Sequence, residues 1–145
     1  MDNEILYKEE SYKIMGACFE VYKAMGPGFL EAVYQECLAK EFNIQKIPFK
    51  QLYSLKLNYK GTALDQTYQV DFLCYEKIIL EIKSAKKIAE EHRAQTINYL
   101  RATSIQLGLL INFSHHPKIE YERFVNQHEF FAKFRVFRSF KSNPQ

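Results

Sequence analysis

The 145-residue chain has no tryptophan, and its three cysteines, Cys18, Cys37 and Cys74, are odd in number and far apart. That excludes a disulfide framework and a Cys-x-x-Cys metal site, leaving buried thiols in a reducing compartment as the expectation. No apolar run approaches the ~20 residues that span a bilayer. The opening Met1-Asp2-Asn3-Glu4 is acidic where a secretory signal starts basic, so a cytoplasmic protein with no membrane partner is expected. Internal repeats and low-complexity segments are absent. So is any recognisable pairing of a nucleophile with a base, which leaves a metal-free hydrolase built on His92 or a cysteine without support. Neither sign of charge dominates: 20 Lys and Arg against 17 Asp and Glu give a net +3, which permits a polyanionic partner without requiring one.

What is present is an ordinary globular composition, 47% hydrophobic and 26% charged, in a length that fits one domain. Ile14, Cys18, Val21, Tyr22 and Met25 recur at helical spacing, and Gly26-Pro27-Gly28 stops that helix, with Gly26 expected as a left-handed cap. A second helix follows with Leu30, Val33, Tyr34, Cys37, Leu38 and Phe42 as its apolar face. Ile47 to Tyr59 reads as a strand, turning at Asn58-Tyr59-Lys60-Gly61 into a less regular link before Tyr68. From Ile88 to Ala102 helical spacing returns, with Ile88, Ala94, Ile97 and Leu100 toward the core and His92, Gln95 and Tyr99 as a polar stripe. Gln106 to Phe113 is a nearly unbroken apolar run, as in a strand covered on both faces. His115-His116 point apart in an extended chain and are given no role. Residues 128–145 form a basic aromatic tail, in which Phe130, Phe131, Phe134, Phe137 and Phe140 alternate with Lys133, Arg135, Arg138 and Lys141; residues 1–127 form the single domain.

The chemistry concentrates in Gln69 to Lys83, where Asp71, Glu81 and Lys83 interrupt an apolar, β-prone run. Tyr68–Tyr75 and Ile78–Ile82 read as the two strands of a hairpin around Glu76-Lys77, and alternation sends Glu81 and Lys83 to one face. A two-residue loop would turn Asp71 away from Glu81, so a joint site requires an odd-numbered loop or a bulge near Asp71. Hard divalent cations take carboxylate and carbonyl oxygens; Asp71, Glu81 and the carbonyl of Ile82 would suit Mg²⁺ or Mn²⁺, with Lys83 beside the ion. On residues alone the same pattern also fits an amphipathic hairpin with a solvated Glu/Lys ladder. Glu31 likewise fits either a first-turn acid complementing the helix dipole or a third carboxylate at the metal.

The order helix, strand, hairpin, helix, strand, with an Asp/Glu/Lys cluster on the hairpin, resembles the PD-(D/E)xK nuclease superfamily. Gly28-Phe29-Leu30-Glu31-Ala32-Val33-Tyr34 is similar to the signature of the small bacterial GxxExxY proteins grouped with those nucleases, and Gln95-Thr96-Ile97-Asn98-Tyr99 resembles the Gln-x-x-x-Tyr element of exonuclease-like members. Val70 stands where the superfamily name places Pro. The resemblance implies an α/β, restriction-endonuclease-like core: a mixed central sheet with a hairpin, a right-handed strand-helix-strand crossover and helices on both faces. It also implies a metal-dependent nuclease using Mg²⁺ or Mn²⁺, acting on DNA or RNA, with a homodimer compatible. Glu31, Asp71, Glu81 and Ile82 would be metal ligands, and Asp71, Glu81, Lys83, Gln95 and Tyr99 catalytic residues, with Lys86, Lys87, Arg93 and Arg101 meeting phosphates. The competing expectation is a catalytically silent nucleic-acid-binding or assembly module on the same fold.

Overall fold

A computed structural model describes residues 5–126, so the aromatic tail expected over 128–145 lies outside the described residues. Three helices and five strands follow in the order α1 (Lys8–Met25), α2 (Glu31–Ile44), β1 (Phe49–Tyr59), β2 (Thr62–Cys74), β3 (Ile78–Lys83), α3 (Glu90–Ala102), β4 (Leu107–Asn112) and β5 (Glu120–Val125). The strands form one sheet in sequence order, antiparallel except for the parallel β3–β4 pair that α3 connects. This is the mixed sheet with one crossover that the apolar patterns imply.

Alternation along the strands divides the core between two faces. Ile78, Leu80 and Ile82 of β3 and Leu107, Leu109 and Ile111 of β4 pack with α1 and α2 through Ile14, Cys18, Tyr34, Leu38 and Phe42. Ile79 packs on the opposite face with Leu100 of α3, together with Leu55, Val70 and Leu73. Helices therefore cover both sides, and β3 and β4 are buried along nearly their whole length. Among the described residues no helix is long and apolar enough to cross a membrane.

Several local expectations change. α3 buries Thr96 and Leu100, whereas Ala94 is exposed and Ile97 half-buried. The reason lies in β4: a Cβ on Gly108 would come within 3.1 Å of Thr96 Cγ2 and 3.4 Å of Leu100 Cδ1, so the glycine lets this side of α3 lie on the sheet. Leu30 precedes α2 instead of joining its apolar face and is exposed. Gly26 has φ 74 and ψ 178, a glycine region more extended than the left-handed cap, while its N–H still closes on Tyr22 O at 2.8 Å. The supposed link before Tyr68 is strand from Thr62 onward, pairing with β1 through a turn at Lys60-Gly61. Its residues 62–67 are all exposed, with Leu64 the only large apolar side chain among them, so no hydrophobic alternation marks it.

Candidate active site

The site is built where β2 and β3 part. Their ladder pairs Phe72 with Leu80, Leu73 with Ile79 and Cys74 with Ile78, leaving the three-residue loop Tyr75-Glu76-Lys77. Tyr75 and Glu76 have φ of 55 and 59, as the two central residues of a type I′ turn require, and Lys77 N–H closes on Cys74 O at 3.1 Å. The odd loop sets Asp71 opposite Glu81, one step beyond the last pair. On the other side, the β1–β2 ladder skips the pair Leu52 and Asp71, and Leu52 has φ 52. Tyr68 and Val70 pack toward α3 while Phe72 and Cys74 pack toward α1 and α2, so the alternation slips by one residue at Asp71. Released from the regular pleat, its side chain replaces a backbone acceptor: Ile82 N–H donates to Asp71 Oδ2 at 2.7 Å. Gln35 Nε2 of α2 donates to Asp71 Oδ1 at 3.1 Å, and Gln51 Nε2 in turn to Gln35 Oε1 at 3.3 Å.

Glu81 differs in kind. It is 4% exposed, and its Oε2 is buried without a hydrogen-bond partner. Burial, then the charge of Asp71 and a hydrogen bond with it, push its carboxyl up to about 9 from an ordinary 4.5, with Lys83 pulling the other way. Glu81 therefore holds its proton near neutral pH, beside Asp71, which accepts two N–H donors. Tyr68 lines the other side of Glu81; burial and then that carboxylate push its phenol up. The Tyr68 ring stacks on Tyr99 with centroids 3.4 Å apart, and Gln95 Nε2 donates to Tyr99 Oη at 3.4 Å. Gln95 and Tyr99 thus reach the carboxyl pair through Tyr68. Lys83, half-buried, follows Glu81 on the same side of β3.

The Gly28-x-x-Glu31-x-x-Tyr34 segment is a hydrogen-bonded clasp. Buried Tyr34 donates its hydroxyl to Gly26 O and accepts Phe29 N–H at 3.2 Å. Gly28, at φ 108, donates its N–H to Ser114 Oγ at 3.1 Å, and Ser84 Oγ donates to Phe29 O. Glu31 Oε2 accepts Ser84 N–H at 3.3 Å, just past the end of β3. The resulting cleft, about 580 Å³, is lined by Phe29, Leu30, Glu31, Ser84, Lys86 and Ser114 among others.

A family model described as the PD-(D/E)XK nuclease superfamily matches residues 8–124, most of the chain. The chain belongs to that superfamily. A solved structure described as "Crystal structure of SSO0001" aligns with a TM-score of 0.52 at 16% identity, covering 83% of this chain and 57% of that one. At that identity it supports the restriction-endonuclease-like fold alone, and the chain spans little more than half that structure's length. No curated protein sequence matches.

Within this PD-(D/E)xK domain, the structure brings Asp71, Glu81 and the Ile82 backbone together. A strand residue directs its N–H and C=O to the same edge, so the Ile82 carbonyl faces the Asp71 side as its N–H does. Among the described residues, no three His, Cys, Asp or Glu side chains gather as a metal site. The expected third carboxylate is therefore not part of the group: Glu31 is exposed and occupied with the Ser84 amide. Arg93 is no free phosphate contact, since Glu122 accepts its guanidinium at 2.6 and 2.7 Å and Glu90 at 2.9 Å. His92 Nδ1 accepts Ala89 N–H at 3.1 Å, which fixes the remaining proton on Nε2; burial and then Lys83 hold its pKa down.

Two residues of the site went unassigned in the sequence. Gln35 stands four residues after Glu31, and that i,i+4 spacing was its only signal. Tyr68 has none, because its approach to Glu81 follows from the irregularity at Asp71. Asn112 supports the site from beneath: fully buried, it accepts Ala85 N–H at 3.0 Å and donates to Ala85 O at 2.8 Å, fixing the chain just after Lys83.

Proposed function

We propose that this superfamily domain is a divalent-metal-dependent phosphodiesterase acting on DNA, with RNA as the alternative substrate, and that it is one of the small GxxExxY proteins. One observation carries the reading: a buried glutamate oxygen without a partner lies beside a second carboxylate, and only a proton or a cation relieves that pairing. The donors are carboxylate and carbonyl oxygens of Asp71, Glu81 and Ile82, a hard set that fits Mg²⁺ or Mn²⁺. When bound, such an ion polarises the scissile phosphate and lowers the pKa of the attacking water.

The chain's own residues supply the rest. Gln35 and Ile82 N–H orient Asp71, and Glu81 gives up its proton to serve as a ligand. Lys83 presents an ammonium to the charge that develops on the phosphate oxygens. Gln95 and Tyr99, set against Tyr68, position the strand. Lys86 and Lys87, both exposed, supply salt-sensitive attraction to the backbone.

The test is metal titration and cleavage measured side by side on wild type, Asp71→Ala and Lys83→Ala, with EDTA as control. Cleavage should vanish with Asp71→Ala. Lys83→Ala should still bind metal and turn over roughly 100-fold more slowly. Equal cleavage by all three preparations would mark a contaminant and refute the assignment. Metal-independent nucleic-acid binding with no cleavage by wild type would make the domain a silent binding module.

A further inference from the structure

The cleft just past the end of β3 has an apolar rim that metal chemistry does not use. Phe29 is 42% exposed and Leu30 77% exposed, adjacent to one another at the cleft's mouth. Single exposed apolar residues are common on surfaces and mean little when their backbone is free to move. Here the backbone is held at three points: Gly28 N–H on Ser114 Oγ, Phe29 N–H on Tyr34 Oη, and Phe29 O accepting from Ser84 Oγ. The Phe29 ring also makes a T-shaped contact with the buried Tyr34 ring, with centroids 6.0 Å apart. The two rings lie nearly perpendicular, and the part of Phe29 that stays exposed borders a cleft that also contains Lys86.

We infer that Phe29 and Leu30 form a platform for an unpaired nucleobase, so that the site takes single-stranded or frayed nucleic acid in preference to intact duplex. The inference rests on the nuclease reading and names its substrate class. Aromatic faces stack on any base, but the faces of paired bases are already covered by their neighbours in the duplex. A ring held rigidly bears little ordering cost on binding, as a stacking platform requires. Lys86 complements it by offering a cation to the phosphate of the same nucleotide, while Glu31, tied to Ser84 N–H, is kept from projecting freely toward that phosphate.

The experiment compares full-length wild type, Phe29→Ala and Phe29→Trp on a single-stranded oligodeoxynucleotide, its oligoribonucleotide counterpart, the blunt DNA duplex and the same duplex with an unpaired end, all with Mg²⁺. Phe29→Ala should raise KM on single strands roughly 10-fold with kcat nearly unchanged, and Phe29→Trp should restore it. The blunt duplex should be the poorest substrate, improved by the unpaired end. An unchanged single-strand KM in Phe29→Ala, or blunt duplex cut as readily as single strand, overturns the platform. Should wild type cut nothing with any divalent metal, the nuclease reading fails separately. Binding to a single strand carrying 2-aminopurine then decides the platform: quenching by wild type that Phe29→Ala loses supports it, and equal quenching by both overturns it. The loop's anchoring bonds are made without the Phe29 side chain, so the variant should fold with the clasp intact, its melting temperature lowered only by the lost ring contact with Tyr34.

Discussion

Replacing Glu81 by glutamine should stabilise the metal-free protein, and by an amount that depends on pH. Glu81 is buried and its carboxyl is raised to about 9 from 4.5. The sign follows from proton binding: between these values the folded state holds a proton that the unfolded state has released, so folding loses stability as pH rises through that window. Below about 4.5 both states are protonated and the penalty disappears. At pH 7.5, three units above the ordinary value, keeping Glu81 protonated costs about 4 kcal/mol at ~1.4 kcal/mol per unit. Glutamine has no such cost, and its amide can donate to Asp71 as the protonated acid does. Denaturant unfolding in EDTA should therefore show the Glu81→Gln variant and wild type nearly equal at pH 4.5, with the variant ahead by a few kcal/mol at pH 7.5. Saturating Mg²⁺ should narrow the gap, since a ligand at 100 times its Kd adds ~2.7 kcal/mol to wild type, and the variant, one carboxylate short, binds it more weakly and gains less. A stability difference independent of pH would refute the description of Glu81 as protonated in the folded state. So would a variant less stable than wild type at pH 7.5 in EDTA.

Proton release on loading makes a second expectation: the Mg²⁺ affinity of wild type, followed by calorimetry, should weaken as pH falls below about 9, approaching tenfold per unit, and Glu81→Gln should remove that dependence. Gln35→Ala should leave the fold intact but weaken metal binding by roughly 10-fold, because Asp71 loses the donor on Oδ1; an affinity equal to wild type would show that Ile82 N–H alone orients it. Gly108→Ala should lower the unfolding free energy by ~1–3 kcal/mol in denaturant titration, since its Cβ would press on Thr96 and Leu100. Tyr34→Phe should cost ~1–3 kcal/mol by leaving Gly26 O and Phe29 N–H without their partner, and should raise KM for nucleic acid by loosening the clasp; unchanged stability would place those bonds outside the folded state.

The legible parts of this domain were those in which chemistry and strand period coincide. Glu81 and Lys83 share a side because they are two residues apart, and an apolar run as long as Gln106 to Phe113 has few places to go except a covered strand. The requirement of an odd loop between Asp71 and Glu81 could be stated from parity alone. Its composition could not: Tyr75 belongs to the turn because its N–H is held by Pro48 O at 3.0 Å and it accepts φ 55, where a bulky side chain rarely sits. On α3 the expected Leu100 is buried but Ala94 and Ile97 are not, because helical spacing names apolar residues, whereas Gly108 on the next strand leaves space for Thr96 beside Leu100.

Glu31 shows the same division at the site. Its residue type and helix position suit a metal ligand, yet Ser84 N–H lies where its oxygen arrives, and only the exit path of the chain from β3 decides that. The i,i+4 neighbour Gln35 instead meets Asp71, because the slip in alternation turns that carboxylate toward α2. One irregularity in β2 therefore fixes three things: the acceptor for Ile82 N–H, the partner of Gln35, and the isolation of Glu81 Oε2. Restoring the regular pleat there would return Ile82 N–H to a backbone acceptor and take Asp71 away from Gln35, so loop parity pairs the carboxyls and the distortion of the strand ties Asp71 to β3 and α2 at once.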